Sequence, residues 1–114
     1  MLLKDVCTLV SGNVICGESR LSEEVTHAFA SDLLSDVLTI KTNHFILITG
    51  LANVQCIRTA EMSDISFILV ARNKYITQEM KDLAVENNMV IISSPFSLFK
   101  CSGLLYTAGL NPVF

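Results

Sequence analysis

The sequence predicts an α/β domain of three layers, with a mostly parallel central sheet and helices on both faces. Three observations carry that prediction. FILIT (45–49), SFILVA (66–71) and MVIIS (89–93) are continuous apolar runs rich in Ile and Val, as expected of strands covered on both faces. The stretches between them, NVQCIRTAEMSD and TQEMKDLAVENN, are long enough for a helical crossover and too long for a hairpin. Half of the 114 residues, 51%, are hydrophobic and 17% are charged. At this length folding buries roughly two-thirds of the extended-chain surface, so one core can form without staples.

Taken in order, Leu3, Val6, Cys7 and Val10 recur at i, i+3, i+4 and i+7, one face of a helix that Ser11-Gly12 stops. NVICGE reads as a short strand ending at Gly17. EEVTHAFA alternates, so Val25, His27 and Phe29 share one strand face and Thr26 and Ala28 the other. His27 then reads as a structural histidine or a catalytic one. Ser31-Asp32 suits the N-cap of a short helix through DLLSDVL, because a side-chain oxygen there can accept from first-turn amides. LTIKTNH leads on into FILIT. Strand, helix, strand, helix, strand over residues 45–93 implies parallel pairing through right-handed crossovers. Thr77 caps the second of these helices, Met80, Leu83 and Ala84 form its stripe, and Asn87-Asn88 stop it. Ser94-Pro95 opens a last helix with proline where a missing amide costs least. Phe99, Gly103 and Tyr106 share a stripe on it, and Gly109 with Asn111-Pro112 ends it. No linker, repeat or low-complexity tract interrupts residues 1–114, which read as one domain.

In open parallel sheets, ligands bind beyond the carboxyl ends of the strands, where loops meet and helix N-termini point outward. That rule selects Ala30-Ser31-Asp32, Thr49-Gly50, Arg72-Asn73-Lys74 and Ser93-Ser94. The candidate ligand residues are Ser31, Asp32, Thr49, Gly50, Asn53, Arg58, Ser93 and Ser94. Thr49-Gly50 is either a ligand-binding turn or punctuation between strand and helix, since ITGLAN holds neither a G-x-x-x-x-G-K-[ST] cradle nor a G-x-G-x-x-G turn. Arg58 is either an anion contact or a solvated residue paired with Glu61 at i+3. Asp32 and Asp36 could hold a cation, although helix starts favour acids for capping alone. No cysteine is followed by arginine at the C-x5-R spacing of a thiol phosphatase. Thr49 stands where a phospho-acceptor receiver domain would carry its aspartate. No catalytic residue, metal site or cofactor is therefore expected.

A net charge of −3, with a pI near 5.2, gives no electrostatic reason to meet nucleic acid or an anionic membrane. The longest apolar runs fall far short of the ~20 residues needed to cross a bilayer. MLLKDV lacks a basic region followed by a long apolar one, which predicts a cytoplasmic protein. Cys7, Cys16, Cys56 and Cys101 are scattered through apolar patterns without a C-x-x-C pair. They are expected to be reduced, metal-free and packed as small hydrophobes.

EEVTHAFASDLLSDVL, LITGLANVQCIRTAEMSDI and SLFKCSGLLYTAGL, with the spacing from ASDLLSDVL to TGL to RTAE, resemble the DRTGG domain over nearly the whole chain. No contiguous DRTGG string is present. The name-giving residues match Asp32 or Asp36, Arg58, Thr59, Gly103 and Gly109. The resemblance implies a fold like the N-terminal domain of HPr kinase. It also implies a regulatory or dimer-forming role, as in the CBS-domain pyrophosphatases controlled by adenine nucleotides and in phosphotransacetylase-like proteins that carry such domains.

The reading is thus a stand-alone, non-catalytic regulatory or sensor module. It forms a homodimer and binds a small anionic metabolite or adenine nucleotide at the carboxyl edge of the sheet. The apolar surplus on a short chain points the same way, since symmetric pairs are the commonest assemblies. An alternative is a ligand-free interaction subunit of a partner enzyme or regulatory complex. A small independent enzyme is the third reading.

Overall fold

A computed structural model describes residues 1–32, 34–40 and 44–114. The expected lead-in over residues 41–43 and Leu33 of the expected DLLSDVL helix lie outside them. In chain order the elements are α1 (Leu3–Leu9), β1 (Asn13–Cys16), β2 (His27–Ala30), α2 (Leu34–Val37), β3 (Phe45–Thr49), α3 (Val54–Met62), β4 (Phe67–Val70), α4 (Gln78–Glu86), β5 (Val90–Ser93), α5 (Leu98–Thr107) and β6 (Asn111–Pro112). They build one six-stranded sheet in the order β1-β5-β4-β3-β2-β6. β2, β3, β4 and β5 are mutually parallel, β6 is parallel to β2, and β1 is antiparallel to β5. This is the three-layer, mostly parallel α/β domain that the apolar runs predict.

The layers follow from the handedness of the connections. From β2 to β5 the chain steps one strand at a time in a single direction, so right-handed crossovers put α2, α3 and α4 on one face. That core holds Val37, Cys56, Ile57, Ala60, Met80 and Ala84 against Leu47, Ile68, Val70 and Ile91. After β5 the direction reverses. α5 returns over the opposite face to place β6 at the far edge, and it packs there beside α1. Leu3, Val6, Val10, Cys101 and Leu105 meet Ile46, Ile48, Leu69, Val90 and Ile92 in this second core. Each fully buried aliphatic side chain contributes roughly 1.5–3 kcal/mol, and alternate residues of every central strand serve opposite cores.

Local signals account for most boundaries. Thr77 caps α4 by accepting from Met80 N at 3.2 Å, as predicted, and Asn88 just beyond that helix takes φ 55°. Gly17 ends β1 at φ 86°, where an added Cβ would lie 2.7 Å from the Met89 carbonyl, so only glycine fits. The last helix starts later than Ser94-Pro95 predicts. Ser97 is its cap, accepting from Lys100 N at 3.1 Å, because Ser94 and Phe96 are tied into a loop instead. Asn111-Pro112 does not merely stop that helix but adds a short edge strand, the one sheet position that tolerates proline.

The expected alternation of EEVTHAFA also breaks. Val25 packs in the α1/α5 core and Phe29 in the other. Thr26 N and His27 N both turn toward the His44 carbonyl, at 2.8 and 3.5 Å, so β2 begins only at His27. The His27 ring is half-buried, with Nδ1 2.8 Å from the Thr26 hydroxyl.

Candidate functional site at the carboxyl edge of the sheet

The four parallel strands end on one side of the molecule, and hydrogen bonds beyond their last residues hold the ends together. Ser31 N donates to Ile48 O, Ala71 N to Thr49 O and Ser94 N to Val70 O, at 3.0, 2.9 and 2.9 Å. Register makes Thr49 the neighbour of Val70, and Val70 the neighbour of Ser93. Thr49 and Ser93 therefore stand in one row on the α3/α4 face, about 10 Å apart across two strand spacings. Ser94, one residue on, belongs to the opposite face.

At the β2–β3 end the central group is Asp32. Its Oδ1 accepts from the Thr49 hydroxyl at 2.9 Å and from Gly50 N at 2.6 Å, and Thr49 Oγ1 in turn accepts from Leu51 N at 3.2 Å. Thr49 is fully buried whereas Asp32 is exposed. A Cβ on Gly50 would lie 3.3 Å from Asp32 Oδ2, so the glycine gives the carboxylate room to approach. The strand-end amide that the Gly50 turn offers is thus engaged by the chain's own anion. Cys56, buried one turn into α3, has its thiol pushed up to about 11 by burial and, secondarily, by the Asp32 charge. It stays protonated at neutral pH.

The β4–β5 end has the opposite sign. Arg72 and Asn73 take φ 68° and 54°, and their amides donate to Phe96 O at 2.7 Å and Ser94 O at 2.8 Å. That stitching presents Arg72, Lys74 and Tyr75 as exposed residues. Lys100 stands over the Phe96 ring with Nζ 3.8 Å from its centroid. The fully buried Ser94 hydroxyl donates to Val10 O at 2.7 Å and accepts from Phe96 N at 3.1 Å, which anchors this loop to the end of α1.

The structure therefore brings Ser31, Asp32, Thr49, Gly50 and Ser93 to one edge and assigns the other expected residues different work. Asn53 is the N-cap of α3, its Oδ1 accepting from Cys56 N at 2.9 Å. Its position just before an apolar helical pattern already carried that signal. Ser94 is a buried anchor. Arg58 is exposed on α3 and lines a groove with Glu79, Asp82 and Glu86 of α4. It forms no ion pair among the described residues, with Glu61 or otherwise. Lys100 escaped the sequence reading because it sits inside a helix, past the strand end that marks the edge. Cys7, Cys16, Cys56 and Cys101 are all free thiols. Among the described residues no three His, Cys, Asp or Glu side chains are grouped to hold a metal ion, and no helix is long and apolar enough to cross a membrane.

No family model matches the chain, and no curated protein is significantly similar to it in sequence. Its fold has a solved counterpart. The CBS and DRTGG domains of the regulatory region of Clostridium perfringens pyrophosphatase, complexed with the activator diadenosine tetraphosphate, match at a TM-score of 0.74 and 18% identity. The match covers 98% of this chain and 48% of that one, so this chain spans about half the length of the pyrophosphatase region. At that identity the likeness establishes a shared fold.

Proposed function

We propose that residues 1–114 form a DRTGG-type regulatory module of the cytoplasm that pairs with itself, is not catalytic, and binds a small anionic metabolite at the carboxyl edge, with adenine nucleotides as the leading class. The observation that carries this reading is the fold match along 98% of the chain to a regulatory region bound to a nucleotide activator. The polarity of the edge supports it. Asp32 at one end can accept from a ribose hydroxyl or an adenine amino group, and Arg72, Lys74 and Lys100 at the other can attract phosphate. Two to three strand spacings, about 10–15 Å, suit a nucleotide lying across the edge. Because loops from β2 to β5 are hydrogen-bonded to one another, a ligand gripping both ends would stiffen them as a unit, and a partner enzyme could read that change.

The engagement of Gly50 N by Asp32 favours a second reading, a ligand-free interaction subunit of an enzyme complex. The two are separated by a thermal-shift and calorimetric titration with mono- and diphosphate adenine nucleotides, dinucleoside polyphosphates and acyl phosphates. A ligand that binds only the folded state adds about 2.7 kcal/mol at a hundred times its dissociation constant. That amounts to roughly 10 °C in a domain of this size. Arg72→Asn, which keeps a residue type at ease at positive φ, combined with Lys74→Gln, should abolish the shift. If no compound shifts the wild type, the interaction-subunit reading takes the lead.

A further inference from the structure

We propose that the outward face of α5 is the surface on which two copies of this chain meet, packed antiparallel about a two-fold axis near Gly103. This rests on the self-pairing proposed above and names the surface that would perform it. α5 has two apolar stripes. Cys101 and Leu105 are buried in the core. Phe99, Ser102, Gly103 and Tyr106 follow the spacing i, i+3, i+4 and i+7 and point the other way. Phe99 is 88% and Tyr106 69% exposed, and a Cβ on Gly103 would meet nothing within 4 Å.

This stripe is a ridge between two hollows. On one side Phe99, Gly103 and Tyr106 border a groove of about 330 Å³ whose far wall is Ala28, Ala30 and Pro112. On the other, Phe99 and Gly103 border a second hollow with Leu9, Lys100, Leu104 and Ala108. A two-fold pair of such helices lets Phe99 of each copy enter the hollow beside Gly103 of its partner, where a missing side chain permits the close approach that ridge-into-groove packing needs.

Two further points single out a second copy as the occupant. A two-fold contact sets the same patch of both copies against itself, so a patch that gathers like charges opposes its own pairing. The exposed side of α4 carries three acids, Glu79, Asp82 and Glu86, against one base, Lys81. The sequence of α5, LFKCSGLLYT, holds a single charge, Lys100, which is drawn over the Phe96 ring. The area is also of the right order. Phe99 and Tyr106 alone expose about 300 Å² between them, more than a third of the roughly 800 Å² per partner in a stable interface.

The test is the mass of the purified chain at tens of micromolar by light scattering coupled to gel filtration, for the wild type, Phe99→Glu, Gly103→Arg and Met62→Glu. Met62 is 74% exposed at the end of α3, away from α5. All three substitutions are at open positions, so circular dichroism should report an unchanged fold. The expected result is twice the 12.5 kDa chain mass for the wild type and Met62→Glu, and the single-chain mass for the two α5 variants. Dimers in all four proteins would overturn the α5 interface and leave self-pairing standing. A monomeric wild type would overturn both.

Discussion

The Thr49 hydroxyl donates to Asp32 Oδ1 at 2.9 Å, joining a fully buried side chain at the end of β3 to an exposed carboxylate that follows β2. The same oxygen accepts from Gly50 N at 2.6 Å. A charged acceptor strengthens such bonds, and removing it leaves a buried hydroxyl short of its partner. Asp32→Ala and Thr49→Val are each expected to cost about 1–3 kcal/mol, or on the order of 5–10 °C in Tm. Because the two share one bond, the double variant should cost less than the sum by about 1 kcal/mol. Urea denaturation of the four proteins measures this, and strict additivity would show that the bond contributes nothing.

Gly50 sits at ordinary φ, so its lack of a side chain matters for space rather than for backbone freedom. An added Cβ would be 3.3 Å from Asp32 Oδ2, a distance that a methyl group can accommodate with a small shift and an isopropyl group cannot. Gly50→Ala should cost under about 1 kcal/mol, and Gly50→Val should displace the carboxylate and cost about as much as Asp32→Ala. In an Asp32→Ala background Gly50→Val should become nearly neutral. An equal penalty in both backgrounds would mean that valine clashes elsewhere.

How much of this was legible depends on the range of each interaction. FILIT, SFILVA and MVIIS announce β3, β4 and β5 because strands buried on both faces need apolar residues at every position. Thr77 announces α4 because capping is decided within three residues. The Asp32–Thr49 bond spans 17 residues and exists only because Ala30 pairs with Ile48 in register, a fact with no local mark. Period alone could not say which apolar stripe of α5 faces the core, since Phe99/Gly103/Tyr106 and Cys101/Leu105 both recur at helical spacing. β6 is two residues long, and its Pro112 reads as a stop signal in any local scan.

Ser94 ties three segments together with one hydroxyl. It donates to Val10 O at 2.7 Å, accepts from Phe96 N at 3.1 Å and receives Cys101 Sγ at 3.5 Å, all without solvent access. Ser94→Ala should cost about 1–3 kcal/mol and loosen the loop that carries Phe96 and the Arg72 contact. Hydrogen exchange should then speed up at the amides of Phe96, Arg72 and Asn73 while those of β3 stay protected. Unchanged exchange at Phe96 would show that a water replaces the hydroxyl without loss.

The Cys56 thiol is pushed up to about 11 from an ordinary 9.0, first by burial and second by the nearby Asp32 charge. Between pH 9 and 11 the unfolded chain releases a proton that the folded chain keeps, so the folded state binds more protons and stability falls as pH rises across that window. The stabilisation is complete below pH 9 and gone above 11, and it amounts to something on the order of 2–3 kcal/mol. Cys7, Cys16 and Cys101, whose thiols are also raised by burial, act in the same direction. Urea midpoints at pH 8, 9, 10 and 11 should drop more steeply for the wild type than for Cys56→Ala. Asp32→Ala should flatten the limb only slightly, because burial is the larger cause. Parallel curves for wild type and Cys56→Ala would show that the thiol titrates in the folded chain as it does in water, and would overturn the shift.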